Sequence, residues 1–138
     1  MVDKPRNGGQ WTEARLTSFI ASALRQALTR WNPKSVCIKS AWIKRGVYRC
    51  SGCGTIGPAS LPPKEGNKKR RKNILADHIE PIVDPVVGFV DWDTWIARAF
   101  VEEDKLQALC WQCHTDKTAE ERAVATERRR KEKLNGGN

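Results

Sequence analysis

The sequence predicts a small α+β domain stapled by a four-cysteine zinc site and flanked by helices, and three observations predict it. Two Cys-x-x-Cys pairs, Cys50/Cys53 and Cys110/Cys113, stand far apart in the chain. Short runs of strand length lead into the first pair and lie between the two, while the segments outside them carry apolar residues at threes and fours or are strongly helix-forming. With 138 residues, 39% of them hydrophobic and 30% charged, the chain suits one domain with tails and a modest core.

Taken in order, residues 1–10 hold two glycines, a proline and three charged side chains and read as a flexible lead. From Thr12 to Trp31, Leu16, Phe19, Ile20, Ala23, Leu24, Ala27, Leu28 and Trp31 recur at helical spacing, with Thr12 as N-cap and Asn32-Pro33 as the stop. Arg15, Arg25 and Arg30 occupy the other face. Val36 to Ile43 reads as a short helix or turn, and Val47-Tyr48-Arg49 as a strand entering the first cysteine pair. Pro58, Pro62, Pro63, Gly66 and a run of cations mark 57–72 as an exposed loop. Asn73 to Ile79 is apolar and of strand length, and 82–89 is irregular. Asp91 caps a helix that puts Trp92, Trp95, Ile96, Ala99 and Phe100 on one face. His114 to Lys133 is helix-forming and almost wholly polar, and the terminal Gly-Gly-Asn reads as frayed. The division expected is a basic helical extension at 1–45, a core at 46–120 and a basic helical tail at 121–138.

The composition excludes several classes. The longest weakly polar stretch, Ser18 to Leu28, is interrupted by Arg25 and Gln26 and falls short of a membrane span of about 18 apolar residues. The first ten residues lack the apolar run of a secretory signal, so a cytoplasmic location is expected, and no membrane partner. The chain has 25 Lys and Arg against 16 Asp and Glu, a formal charge of +9, which favours a polyanionic partner. Lys64 to Lys72 concentrates cations; Lys68, Lys69, Arg70, Arg71 and Lys72 read either as a solvated run or as DNA contacts. Arg128, Arg129 and Arg130 in the tail are also available to phosphate. By contrast, Asp77 to Asp104 is an acidic island in which Arg98 is the lone base. Acids inside a basic surface suit a site that holds a cation against phosphates, and equally suit a solvated helix.

Two thiolates three positions apart converge on one ion, and two such pairs complete a tetrahedral site, so Cys50, Cys53, Cys110 and Cys113 are expected to bind structural zinc. A redox pair would not need a second copy, and disulfides do not persist in a reducing compartment. Closing the loop from Cys53 to Cys110 costs about 3–4 kcal/mol of chain entropy. Zinc binding worth about 10–16 kcal/mol exceeds it. Cys37 remains as a buried free thiol.

Only two histidines exist, and both adjoin motifs: His78 in Asp77-His78-Ile79, and His114 directly after Cys113. On an extended segment Asp77 and His78 face opposite sides. With Cys50-x-x-Cys53, Asp77-His78-Ile79-x-Pro81 and Leu106-Gln107-Ala108-Leu109-Cys110-x-x-Cys113-His114-x-x-Lys117-Thr118, the chain resembles the HNH endonucleases of zinc-stapled ββα-metal fold, also called His-Me finger nucleases. The resemblance covers about Tyr48 to Thr118, and the flanking helix, basic insert and basic tail look like those of small bacteriophage members.

The resemblance implies a metal-dependent DNA endonuclease or nickase. His78 would be the general base, a role that suits an imidazole with an ordinary pKa near 6.5. Asp77 and His114 would hold one divalent metal, Mg²⁺, Mn²⁺ or another, and the four cysteines the separate structural zinc. The family's middle Asn is replaced by Lys105, which either contacts a phosphate or stands where a brace for the base has been lost. Double-stranded DNA is the expected partner, with phage packaging or replication proteins as further candidates, and a monomer is expected. Homing, host-DNA degradation and packaging all remain open as tasks. The alternative is a catalytically weak zinc module that docks on DNA or a phage protein. A zinc ribbon that binds RNA fits less well with the acidic island and the long spacing between the pairs.

Overall fold

A computed structural model describes residues 2–136, which fold as two units divided between Trp31 and Asn32. No helix among the described residues is long and apolar enough to cross a membrane.

In the first unit, helix α1 (Glu13–Leu28) starts as expected, with the Thr12 hydroxyl accepting from the Arg15 N–H at 3.1 Å. It stops three residues before Trp31, where the Thr29 N–H turns back onto Gln26 and Ala27 carbonyls. The lead before it is not loose. Arg6 and Trp11 exchange backbone hydrogen bonds of 3.1 and 3.0 Å around Asn7, Gly8 and Gly9, all with positive φ. The Trp11 ring then packs 4.9 Å from Phe19 and under Arg15. The Asn-Gly-Gly turn permits this closure and the aromatic contact gives it something to close onto.

In the second unit, helix α2 (Asn32–Ser40) takes Pro33 into its first turn, where a missing N–H costs no intrahelical bond. The dipeptide expected to stop α1 instead begins α2, and Trp42 and Ile43 go into a strand rather than the short helix. Strands β1 (Trp42–Lys44), β2 (Val47–Arg49) and β3 (Ile56–Pro58) form an antiparallel sheet in that order. Strands β4 (Ser60–Leu61) and β5 (Arg71–Lys72) pair Ser60 with Lys72 and Leu61 with Arg71. The segment 57–72, expected as an exposed loop, is thus the end of β3 followed by a hairpin closed at its base. Arg70 Nε donates to Ser60 Oγ at 3.1 Å and Arg71 Nε to the Pro62 carbonyl at 3.0 Å, which holds it shut.

Strands β6 (Leu75–His78) and β7 (Leu106–Leu109) pair antiparallel over four residues, Asp77 opposite Gln107 and His78 opposite Leu106. Between them lies helix α3 (Trp92–Ala99), capped by the Asp91 carboxylate on the Thr94 N–H at 2.7 Å, followed by a 3-10 turn at Glu103–Lys105. Trp95 and Ala99 are buried as the spacing predicts, whereas Ile96 is 43% exposed. Helix α4 (Trp111–Gly136) follows β7 at once; of the frayed end expected, residues 137 and 138 lie outside the described residues. Cys37 of α2 is buried with Ile74, Leu106 and Ala108, and Ile38, Ala41, Tyr48, Ala76 and Val101 pack against them. Each large apolar side chain buried there contributes roughly 1.5–3 kcal/mol. That core sets α2 against the β6–β7 pair and holds the strand ends on which the site residues sit.

Candidate functional site

The first cluster is the set of four cysteines. The Sγ atoms of Cys50, Cys53, Cys110 and Cys113 all lie within 4.8 Å of one another, and Cys53 and Cys110 are 3.9 Å apart. Tetrahedral zinc at about 2.3 Å from each sulfur requires sulfurs roughly 3.8 Å apart, so the set can hold such a metal. Two knuckles build it. In the first, the Gly54 N–H closes onto the Cys50 carbonyl at 2.9 Å, with Gly54 at φ 75°. Gly52 leaves room for the second knuckle, since a Cβ there would lie 3.1 Å from Leu109 and 3.3 Å from Cys113 Sγ.

The second knuckle is the N-terminus of α4. Cys110 acts as its N-cap, its sulfur accepting the Cys113 N–H at 3.4 Å, while Asn73 Oδ1 accepts the Trp111 N–H at 3.1 Å. These two acceptors explain why the helix begins before His114. The thiols divide in their acidity. Bonds from the Thr55 hydroxyl and N–H lower Cys53 to about 6. Burial works to raise Cys50, but N–H groups of Cys110, Cys53 and Gly52 outweigh it and leave that thiol lowered. Burial raises Cys110, and burial followed by its three sulfur neighbours pushes Cys113 up to about 12. Four thiolates so close together need a cation to neutralise them.

The second cluster lies where β6 meets α4. Alternation along β6 turns Asp77 toward the helix and His78 toward the end of α3. Asp77 Oδ1 is 3.9 Å from His114 Nε2; Asp77 Oδ2 accepts from Gln107 Nε2 at 3.0 Å and from Lys117 Nζ at 3.0 Å. Lys117 also donates to the His78 carbonyl at 2.9 Å and to Glu121 at 2.8 Å. Burial works to lower its ammonium, yet Glu121 and Asp77 outweigh that and leave its pKa raised. His78 Nε2 lies 2.7 Å from the Ala99 carbonyl. A carbonyl only accepts, so in the neutral ring Nε2 carries the proton and Nδ1 keeps a lone pair.

Several residues of this arrangement were not foreseen from sequence. Gln107 is fixed opposite Asp77 by strand register. Arg98 donates to the carbonyls of Pro81 and Ile82 at 2.6 to 3.0 Å, folding the chain that leaves His78; being the only base in the acidic island was its one signal. Two acids of the island serve local structure: Asp91 caps α3 and Asp84 turns the chain by accepting from the Val86 N–H at 2.8 Å. Asp77 is the acid of that island set against His114. Lys105 stands exposed in the 3-10 turn, and its carbonyl accepts the Ile79 N–H at 3.1 Å, extending the β6–β7 ladder past His78.

The basic residues fall into two kinds. Lys68, Lys69 and Lys72 are exposed on the hairpin, while Arg71 lies with its guanidinium 4.6 Å from the centre of the Trp111 ring and Lys64 with its ammonium 5.0 Å from it. The hairpin is therefore seated on a residue of the second knuckle. In α4, Arg129 is exposed and Arg130 pairs with Glu127 at 2.6 Å. Arg128 is mostly covered, pairs with Glu132 at 3.5 Å and occupies the space a side chain at Gly88 would fill. Compared with family models, curated proteins and solved structures, the chain gives no match.

Proposed function

We propose that the chain is a metal-dependent DNA endonuclease or nickase of the HNH kind, with Asp77, His78 and His114 as its reacting set. The observation that carries the reading is the strand–strand–helix unit β6–β7–α4, which puts Asp77 Oδ1 3.9 Å from His114 Nε2 and turns the adjacent His78 to the opposite side. Two donors at that separation fall within the roughly 4.2 Å that one ion with ligands at about 2.1 Å can span. A divalent ion such as Mg²⁺ or Mn²⁺ there supplies Lewis-acid stabilisation of charge on the scissile phosphate and leaving oxygen.

The chain's own residues do the rest. His78, held by Ala99 through Nε2, takes the proton of the attacking water on Nδ1. The water oxygen then bonds to phosphorus, the bond from phosphorus to the 3′ oxygen breaks, and the ends are 5′-phosphate and 3′-hydroxyl. The exposed cations of the hairpin and of α4 bind the DNA backbone, which positions the duplex without specifying a sequence. Zinc on the four cysteines fixes the N-terminus of α4, and with it the direction of His114.

A second reading, a catalytically weak zinc module that docks on DNA, is favoured by one feature: Lys105 in the place of the Asn that braces the base. One experiment separates the two. Zinc-loaded protein is incubated with supercoiled plasmid, with and without Mg²⁺ or Mn²⁺, beside His78→Ala. The nuclease reading expects metal-dependent nicking that falls by about 10²-fold or more in the variant. DNA binding without cleavage in any metal would leave the docking module.

A further inference from the structure

We propose that Lys117 is a fixed positive charge in the Asp77–His114 site that keeps a divalent ion weakly bound until a DNA phosphate joins it. The inference rests on the reading of Asp77 and His114 as cation ligands. It starts from the two oxygens of one carboxylate. Oδ2 of Asp77 is filled by Gln107 and Lys117, each at 3.0 Å, whereas Oδ1 is directed at His114. Asp77 therefore offers an ion a single oxygen.

The ammonium that fills the other oxygen is not free to leave. All three of its donors are engaged, by Asp77, by Glu121 at 2.8 Å and by the His78 carbonyl at 2.9 Å, and its side chain is 24% exposed. His114, Lys117 and Glu121 stand at intervals of three and four on one helical face, so the charge is built into α4 and moves only with it. The formal charge next to an incoming dication is minus one from Asp77, minus one from Glu121 and plus one from Lys117, a net of one negative charge. The positive pole at the start of α4 opposes a cation further and favours an anion. A phosphate oxygen supplies the missing negative charge, so metal and DNA bind in mutual dependence.

The test is Mn²⁺ titration of the zinc-loaded full chain by electron paramagnetic resonance, with and without a short DNA duplex, in a His78→Ala background that prevents cleavage. The parent is expected to bind Mn²⁺ weakly alone and about tenfold more tightly with the duplex. Lys117→Met, and Lys117→Gln as a variant that keeps a hydrogen-bond donor, are expected to bind Mn²⁺ roughly tenfold more tightly without DNA and to lose most of the gain from the duplex. Lys117→Arg, which keeps the charge, should behave as the parent. Unchanged or weaker Mn²⁺ binding in both uncharged variants would overturn the proposal and make Lys117 a strut alone. Mn²⁺ binding unaffected by Asp77→Asn and by His114→Ala would overturn the cation-site reading itself, and this proposal with it.

Discussion

Gly52 and Gly54 sit two residues apart in the first knuckle and are glycines for different reasons. A Cβ at 52 meets Leu109 and Cys113 Sγ, at 3.1 and 3.3 Å, whereas at 54 it meets nothing within 4 Å but requires φ of 75°. Gly52→Ala should therefore push the two knuckles apart, costing about 1–3 kcal/mol as overpacking does and weakening zinc retention. Gly54→Ala should cost about 1–2 kcal/mol through backbone strain and leave zinc retention nearly unchanged. Thermal melts of the zinc-loaded variants, paired with release of zinc to a competing chelator, check both; equal zinc retention would contradict the assignment. At this scale the sequence was legible where chemistry is local. Cysteine spacing, the Thr12 and Asp91 caps and the opposed faces of Asp77 and His78 follow from neighbours in the chain. The grip of Gln107 on Asp77, of Ala99 on His78 and of Asn73 on Trp111 was not legible, because strand register and the return of α3 create those pairs across 20 to 40 positions.

Among the elements, α4 shows most clearly how the zinc cluster and the fold depend on each other. No residue of its 26 is buried, so little apolar packing holds it; pairs such as Lys117–Glu121 and Gln112–Asp116 support it along its length. Its start is held by sulfur, with Cys110 capping and Cys113 in the first turn. That placement governs the protons exchanged on metal binding. Cys53 and Cys50 are lowered and are the thiols that ionise first, whereas Cys110 and Cys113 are raised and keep their protons at neutral pH. Zinc binding near pH 7 should thus release fewer than four protons, with those of Cys110 and Cys113 among them. As pH falls through about 6, where Cys53 takes up its proton, one more must be displaced and affinity should fall more steeply. Calorimetric titrations with zinc in buffers of different ionisation enthalpy measure that number. Release of four protons at pH 7 would mean that all four thiols hold their protons in the metal-free protein.

Over the whole molecule, a formal charge of +9 says that cations are in excess but not which of them face solvent. From the sequence, Arg128, Arg129 and Arg130 are one basic run. In the helix they part company, with Arg128 drawn in beside Gly88, Arg130 paired with Glu127 and Arg129 outside. Arg98 and Lys117 are likewise engaged by carbonyls and carboxylates of the protein itself. Exposed cations stand instead on the hairpin, as Lys68, Lys69, Arg70 and Lys72, and on α4, as Arg122, Arg129 and Lys131. Lys72 precedes Asp77 by five positions, so their Cα atoms are no more than about 18 Å apart, which places the hairpin within a few phosphates of the candidate site. If the hairpin is what grips the DNA, the salt dependence of duplex binding should report it. Each phosphate contact contributes about 0.9 to the slope of log affinity against log salt. Joint replacement of Lys68, Lys69 and Lys72 by Ala should flatten that slope by roughly 2–3. Arg128→Ala should leave the slope as it is and show its effect in the melting temperature. The reverse pattern would move the DNA contact from the hairpin to α4.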